Sequence, residues 1–100
     1  MKYDFKNNVL TVYLSGEIDH HGARKIREET DSLIQQNKPV LLNMDFSDVG
    51  FSDSSGIGLI MGRYRLMSLY GGKTKVINIP ERLRYVMNLS GLSSLHITDK

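Results

Sequence analysis

The sequence has no cysteine and no tryptophan, only two prolines, and no long apolar run. Without cysteine there is neither a disulfide framework nor a thiolate metal site, which fits a reducing, cytosolic setting. No apolar stretch reaches the roughly 18 residues of a membrane helix and no secretory h-region is present, so a soluble, cytoplasmic protein is expected. Charge of one sign is not clustered either: 13 Lys and Arg against 11 Asp and Glu are spread along the chain for a net +2. A phosphate backbone needs a basic stripe, so direct nucleic-acid binding is not expected. What remains is 100 residues, 40% of them hydrophobic, enough for one core and too few for two. The chain reads as a single domain over residues 1–100.

Strand-like and helix-like patterns alternate along it. Tyr3 and Phe5 alternate with polar residues, Asn7-Asn8 supplies turn chemistry, and Val9, Leu10, Val12 and Leu14 follow, so the chain starts as an antiparallel hairpin that Ser15-Gly16 should end. From His21 to Gln36, Ala23, Ile26, Thr30, Leu33 and Ile34 recur at helical spacing. After Pro39, the run from Val40 to Met44 predicts a central parallel strand buried on both faces. A second helix is predicted from Ser55 to Tyr70 and is stopped by Gly71-Gly72. Its wheel carries two apolar stripes, Ile57, Ile60, Met61, Tyr64 and Met67 on one side, Leu59, Leu66 and Leu69 on the other. One of the two should face the core and the other be partly exposed; the second stripe reads as core contact, with a partner or dimer surface as the alternative, and Arg63 and Arg65 read as solvated. Thr74 to Ile77 predicts a strand. Pro80 opens a helix to Leu89 with Leu83, Val86 and Met87 inward, Gly91 closes it, and Leu95 to Thr98 reads as a last strand. The expected fold is α/β: a mixed, mostly parallel sheet of four or five strands with helices packed on it, and sites at the carboxyl ends of strands.

The segment Asp53-Ser54-Ser55-Gly56 lies at such an end, where strand turns into helix. Asp and Ser cap helix N-termini by accepting backbone N–H bonds, and the positive end of the helix dipole tolerates an added anion. A phosphate on one of these hydroxyls would therefore be accommodated without unfolding anything. Competing readings are weaker. The G-x-G-x-x-x-G spacing of Gly56, Gly58 and Gly62 is not a dinucleotide fingerprint, and Gly72-Lys73-Thr74 leads into a strand where a phosphate-binding loop would lead into a helix. His20 and His21 are adjacent and point different ways, which disfavours a metal. A serine hydrolase would need a G-x-S-x-G elbow, which is missing. A nucleotide-binding module remains an alternative class. No catalytic residue, metal or cofactor is assigned.

Four ordered motifs decide between these readings: Gly16-Glu17-Ile18-Asp19-His20-His21, the stretch from Phe51 to Gly58, Gly62-Arg63-Tyr64, and Leu89-Ser90-Gly91-Leu92. Together they resemble the anti-sigma factor antagonists, the bacterial STAS domains, across most of the chain. Asp-His-His after Gly-Glu-Ile, and Gly-Arg-Tyr on the helix, are most similar to the sporulation branch that antagonises the anti-sigma F factor. General stress-response relatives usually differ at both places. The resemblance implies a partner switch. The unmodified protein would bind an anti-sigma factor and free the sigma factor, the anti-sigma factor would act as a serine kinase that phosphorylates the antagonist and ends binding, and a serine phosphatase would reverse this. Carried over by motif, Ser54 is the phosphoacceptor, and Asp19, His20, Asp53, Ser55, Gly56 and Ile57 form the partner-binding surface. Fold and stability are expected to change little on modification. Relatives commonly continue into a further helix past the last strand, where this chain stops at Lys100. A monomer is expected, with a dimer as the arrangement that would cover an open sheet face.

Overall fold

A computed structural model describes residues 1–89. Along these the chain forms β1 (Lys2–Lys6), β2 (Val9–Ile18), α1 (His20–Asn37), β3 (Leu41–Ser52), α2 (Ser54–Leu69), β4 (Lys73–Ile77) and α3 (Glu81–Leu89). The four strands make one sheet in the order β1-β2-β3-β4. The first pair is antiparallel and the other two are parallel. The Asn7-Asn8 turn closes the hairpin with both residues at positive φ, 54° and 66°, the combination whose twist suits a two-residue connection. Pairing in register puts Leu10 and Val12 of β2 beside Leu42 and Met44 of β3, and Met44 beside Val76 of β4. These side chains are fully buried and meet Ile34 of α1 and Ile60 and Met67 of α2. The core therefore lies between the sheet and helices α1 and α2, and Ile79, ahead of α3, and Leu83 of α3 add to it.

Four expectations are corrected. Ser15-Gly16 does not end β2. The strand runs on to Ile18, and Gly16 sits at φ +80° where β3 carries extra residues against β2 on either side of it. The bulges are in β3, and opposite them Gly16 takes a left-handed φ that glycine adopts without strain. β3 is likewise not a short run ending at Met44 but a strand of 12 residues reaching Ser52. Nor is it buried on both faces among the described residues: Asn43 is half-buried, paired laterally with Thr11 and Lys75, and donates to the Thr11 hydroxyl at 3.4 Å. Finally, the first stripe of α2 faces the core, with Ile60 and Met67 buried and Ile57, Met61 and Tyr64 packed against it, but the second stripe is not core contact throughout. The inward arc of α2 passes through Leu59, Ile60, Arg63 and Met67, while Leu69 is 82% exposed. Helical spacing i, i+3, i+4, i+7 centred on Ile60 includes Arg63, so the guanidinium is carried into the core and is not solvated. The expected inward positions of Val86 and Met87, the stop at Gly91 and the strand from Leu95 to Thr98 lie outside the described residues or side chains.

The distal half of β3 projects past β4, whose pairing stops at Asp45 with Ile77. Arg82 at the start of α3 satisfies two carbonyls of this projection, donating from Nη2 to Val49 O at 2.9 Å and from Nε to Gly50 O at 3.3 Å. Where the projection begins, Asp45 is 6% exposed. Its Oδ1 accepts from the Ser47 amide at 2.8 Å and hydroxyl at 2.7 Å, and its Oδ2 accepts from Asn78 Nδ2 at 2.8 Å. Burial opposes ionisation of this carboxyl, but the three donors outweigh it and hold it below the ordinary value of 3.8. Its stabilisation is complete above that value and is lost as pH falls through the lowered folded-state value. Asp45→Asn is thus expected to cost about 1–3 kcal/mol at neutral pH, because a carboxamide faces its former donors with an N–H. The variant's stability should also fall less steeply below pH 4. Urea titrations at pH 7 and pH 3 measure both, and parallel acid losses in the two proteins would refute the assignment.

Candidate functional site

β2 and β3 end side by side. Ile18 pairs with Ser52, and the Asp53 amide donates across to Ile18 O at 3.3 Å. The next residue in each chain path is an aspartate in extended conformation that caps the helix leaving it. Asp19 Oδ1 accepts from the Gly22 amide at 2.8 Å, and Asp53 Oδ1 accepts from the Ser55 amide at 2.7 Å. Each cap satisfies a helix-end donor that otherwise has no partner. The Gly22 amide is the main reason that Asp19 sits below its ordinary pKa, against the opposing effect of burial and with help from neighbouring His21. Parallel pairing thus brings together Asp19 and Asp53, 34 positions apart in sequence.

Ser54 is the first residue of α2, exposed, and its hydroxyl makes no hydrogen bond among the described residues. Ser55 and Ile57 are half-buried and His20 is exposed. Gly56 is buried against β3, and a Cβ there would collide with the Ser52 side chain. Its counterpart on the first turn, Gly22, has the Glu17 carbonyl oxygen 2.7 Å from the position of a Cβ. Both helices therefore start close to the strands they leave, and both need glycine to do so. The two imidazoles of His20 and His21 are exposed and stand edge to face, 5.8 Å between ring centres. Among the described residues no group of three His, Cys, Asp or Glu side chains could hold a metal ion. No helix there is long and apolar enough to cross a membrane.

Between α1 and α2 a cleft of about 580 Å³ opens beside this turn, walled by His20, Arg24 and Arg27 from α1 and by Ser55, Gly58 and Gly62 from α2. Sequence reasoning did not find it, because it depends on which side of α1 faces α2. Below it lies the ion pair that helical spacing could have revealed. Arg63, 6% exposed, has Nε 2.7 Å from Asp31 Oδ1 of α1, although the N–H is not directed along that contact. The guanidinium also donates to Leu59 O at 3.5 Å. Burial lowers the Arg63 pKa and raises that of Asp31, in each case more than the partner's attraction offsets.

The family profile described as STAS domain matches residues 1–99. The chain is 34% identical over 92 residues to an anti-sigma F factor antagonist of Paenibacillus polymyxa, covering 92% of this chain and 79% of that protein. Among solved structures, the anti-sigma factor antagonist SpoIIAA in its unphosphorylated form superposes with a TM-score of 0.85 at 29% identity, over 98% of this chain and 84% of that one. The phosphorylated form of SpoIIAA, a Bacillus cell fate determinant, gives a TM-score of 0.75 at 29% identity, over 98% and 87%.

Proposed function

The chain belongs to the STAS-domain family, among the anti-sigma factor antagonists, and from that premise we propose that it is a partner switch controlled by phosphorylation of Ser54. Unmodified, it binds an anti-sigma factor and so releases a sigma factor. The anti-sigma factor is also a serine kinase, and its phosphorylation of Ser54 ends the complex until a serine phosphatase removes the group. The switch occupies the single domain of residues 1–100 and works in the cytosol. It is a substrate and a binding protein, not a catalyst.

The observation that carries this reading is the exposed, unengaged Ser54 hydroxyl at the first position of a capped helix. Backbone N–H groups and the helix dipole there stabilise an added anion, so the fold tolerates the modification. A relative solved in both unphosphorylated and phosphorylated forms supports the same reading. The proposed contact surface is Asp19, His20, Asp53, Ser55, Gly56 and Ile57 around that hydroxyl. Asp19 and Asp53 supply its charge, Gly56 lets the turn lie flat, and Ile57 offers partly exposed apolar area. Incubation with an anti-sigma kinase and ATP, followed by mass-spectrometric mapping, is expected to find phosphate on Ser54 alone. Phosphate on Ser55 or elsewhere, with Ser54 unmodified, overturns the proposal.

A further inference from the structure

We infer that a phosphate on Ser54 is held across the α1–α2 cleft by the guanidinium groups of Arg24 and Arg27. This rests on the reading of Ser54 as the modified residue and adds what becomes of the phosphate afterwards. At about 100° per residue, Ser54 lies about 40° round α2 from Gly58 and about 80° from Gly62, at the edge of the arc that walls the cleft, and its neighbour Ser55 lines the cleft itself. A Cβ on either glycine would meet no atom within 4 Å, so the cleft stays open along α2 up to the acceptor turn. On the facing helix, His20, Arg24 and Arg27 recur at helical spacing. Every ionisable residue lining the cleft is basic.

The two arginines are also available. Arg63, the other arginine there, is occupied by Asp31. Arg24 touches Glu28 at 3.5 Å in a pair whose side chains are 72% and 60% exposed, an arrangement that contributes little. Arg27 makes no hydrogen bond among the described residues and adds its charge to the field at Asp31 and at Arg63. A guanidinium meets phosphate with paired, charge-assisted N–H bonds, so a dianion at the cleft mouth outcompetes Glu28 for Arg24. Asp19 and Asp53 lie at the same end and push the other way. Their carboxylates are turned onto the Gly22 and Ser55 amides. The held phosphate links α1 to α2, so modification raises stability, where the local capping argument alone left it unchanged.

The test installs phosphoserine at position 54 during synthesis, by stop-codon suppression, and follows the 31P shift against pH. The second phosphate ionisation, near pH 6 in a free phosphoserine, is expected to be at least about threefold more acidic in the parent than in Arg24→Gln/Arg27→Gln. Arg27→Gln alone should give part of that change. Lys25→Gln, which removes a neighbouring charge of α1 that does not line this cleft, should give none, and phosphorylation should raise Tm in the parent but not in the double variant. Far-UV circular dichroism verifies the fold of each variant. Equal ionisation in the parent and the double variant, or an equal effect from Lys25→Gln, overturns the inference. The phosphate is placed without a kinase, so a kinase that ignores Ser54 would overturn the switch and leave this result standing on its own.

Discussion

Ser54→Asp is expected to weaken binding to the anti-sigma partner by about 100-fold or more, while Ser54→Ala stays within about threefold of the parent. A hundredfold loss is about 2.7 kcal/mol. The added carboxylate would sit at an exposed position next to Asp53 and on the same edge as Asp19. An interface closing over it must either desolvate a third negative charge or admit water around it, and an unpaired buried charge costs several kcal/mol. Phosphoserine carries about −1.5 to −2 and should act more strongly still. Folding should be indifferent to the same change, because an aspartate in the first turn of α2 faces the positive end of its dipole. Isothermal titration with the partner, alongside thermal unfolding of each variant, separates the two effects. Parent-like binding by both variants would sink the local-charge mechanism, and a Ser54→Asp protein that melts early would show that the fold, not the interface, is being read.

Asp31→Ala is expected to lower stability by about 2–3 kcal/mol, equivalent to a fall of about 10–20 °C in Tm for a domain of this size. The reason is what it leaves behind. Arg63 is 6% exposed, in the middle of the apolar arc of α2, and Asp31 is the only carboxylate within ion-pair distance of it among the described residues. The estimate lies below that for a fully enclosed pair because the Asp31 side chain keeps 28% of its exposure. Since burial outweighs attraction for both partners, the pair is no gain over apolar packing. Asp31→Leu combined with Arg63→Met should therefore recover most of the loss. Urea unfolding of the single and double variants checks both statements. A loss under 0.5 kcal/mol for Asp31→Ala would mean that the freed guanidinium reaches water through the adjoining cleft.

The hairpin, both long helices and β4 were legible because their signals are local. Asn7-Asn8 permits only a tight reversal with positive φ, and the apolar spacing of α1 needs no partner to be recognised. β3 past Met44 was not legible for a physical reason. Its polar Asp45 is buried by virtue of Ser47 and Asn78, and the two bulges against β2 break the period-two pattern that a reader looks for. The capped turn at the head of α2 could be read from Asp53 and its serines. Its company could not: Asp19 joins it only through the pairing of Ile18 with Ser52, and Arg27 and Gly58 meet only through helix orientation. Composition alone assigned Arg63 to solvent, although its spacing from Ile60 and Met67 pointed inward.

The two strand ends carry the same sequence pattern twice, each with an extended aspartate as helix cap. Asp19-His20-His21-Gly22 and Asp53-Ser54-Ser55-Gly56 both run Asp-x-x-Gly, with cap dihedrals of −98°, −169° and −95°, −164°. Each has an Asp accepting from its own first turn and a glycine pressed against its own strand. One copy carries imidazoles and its twin carries hydroxyls behind closely matching cap residues. The molecule thus contains its own hydroxyl-free control: writing serines into the first turn, as His20→Ser and His21→Ser, would ask a serine-modifying enzyme whether it reads the shape of the loop or the surface around it.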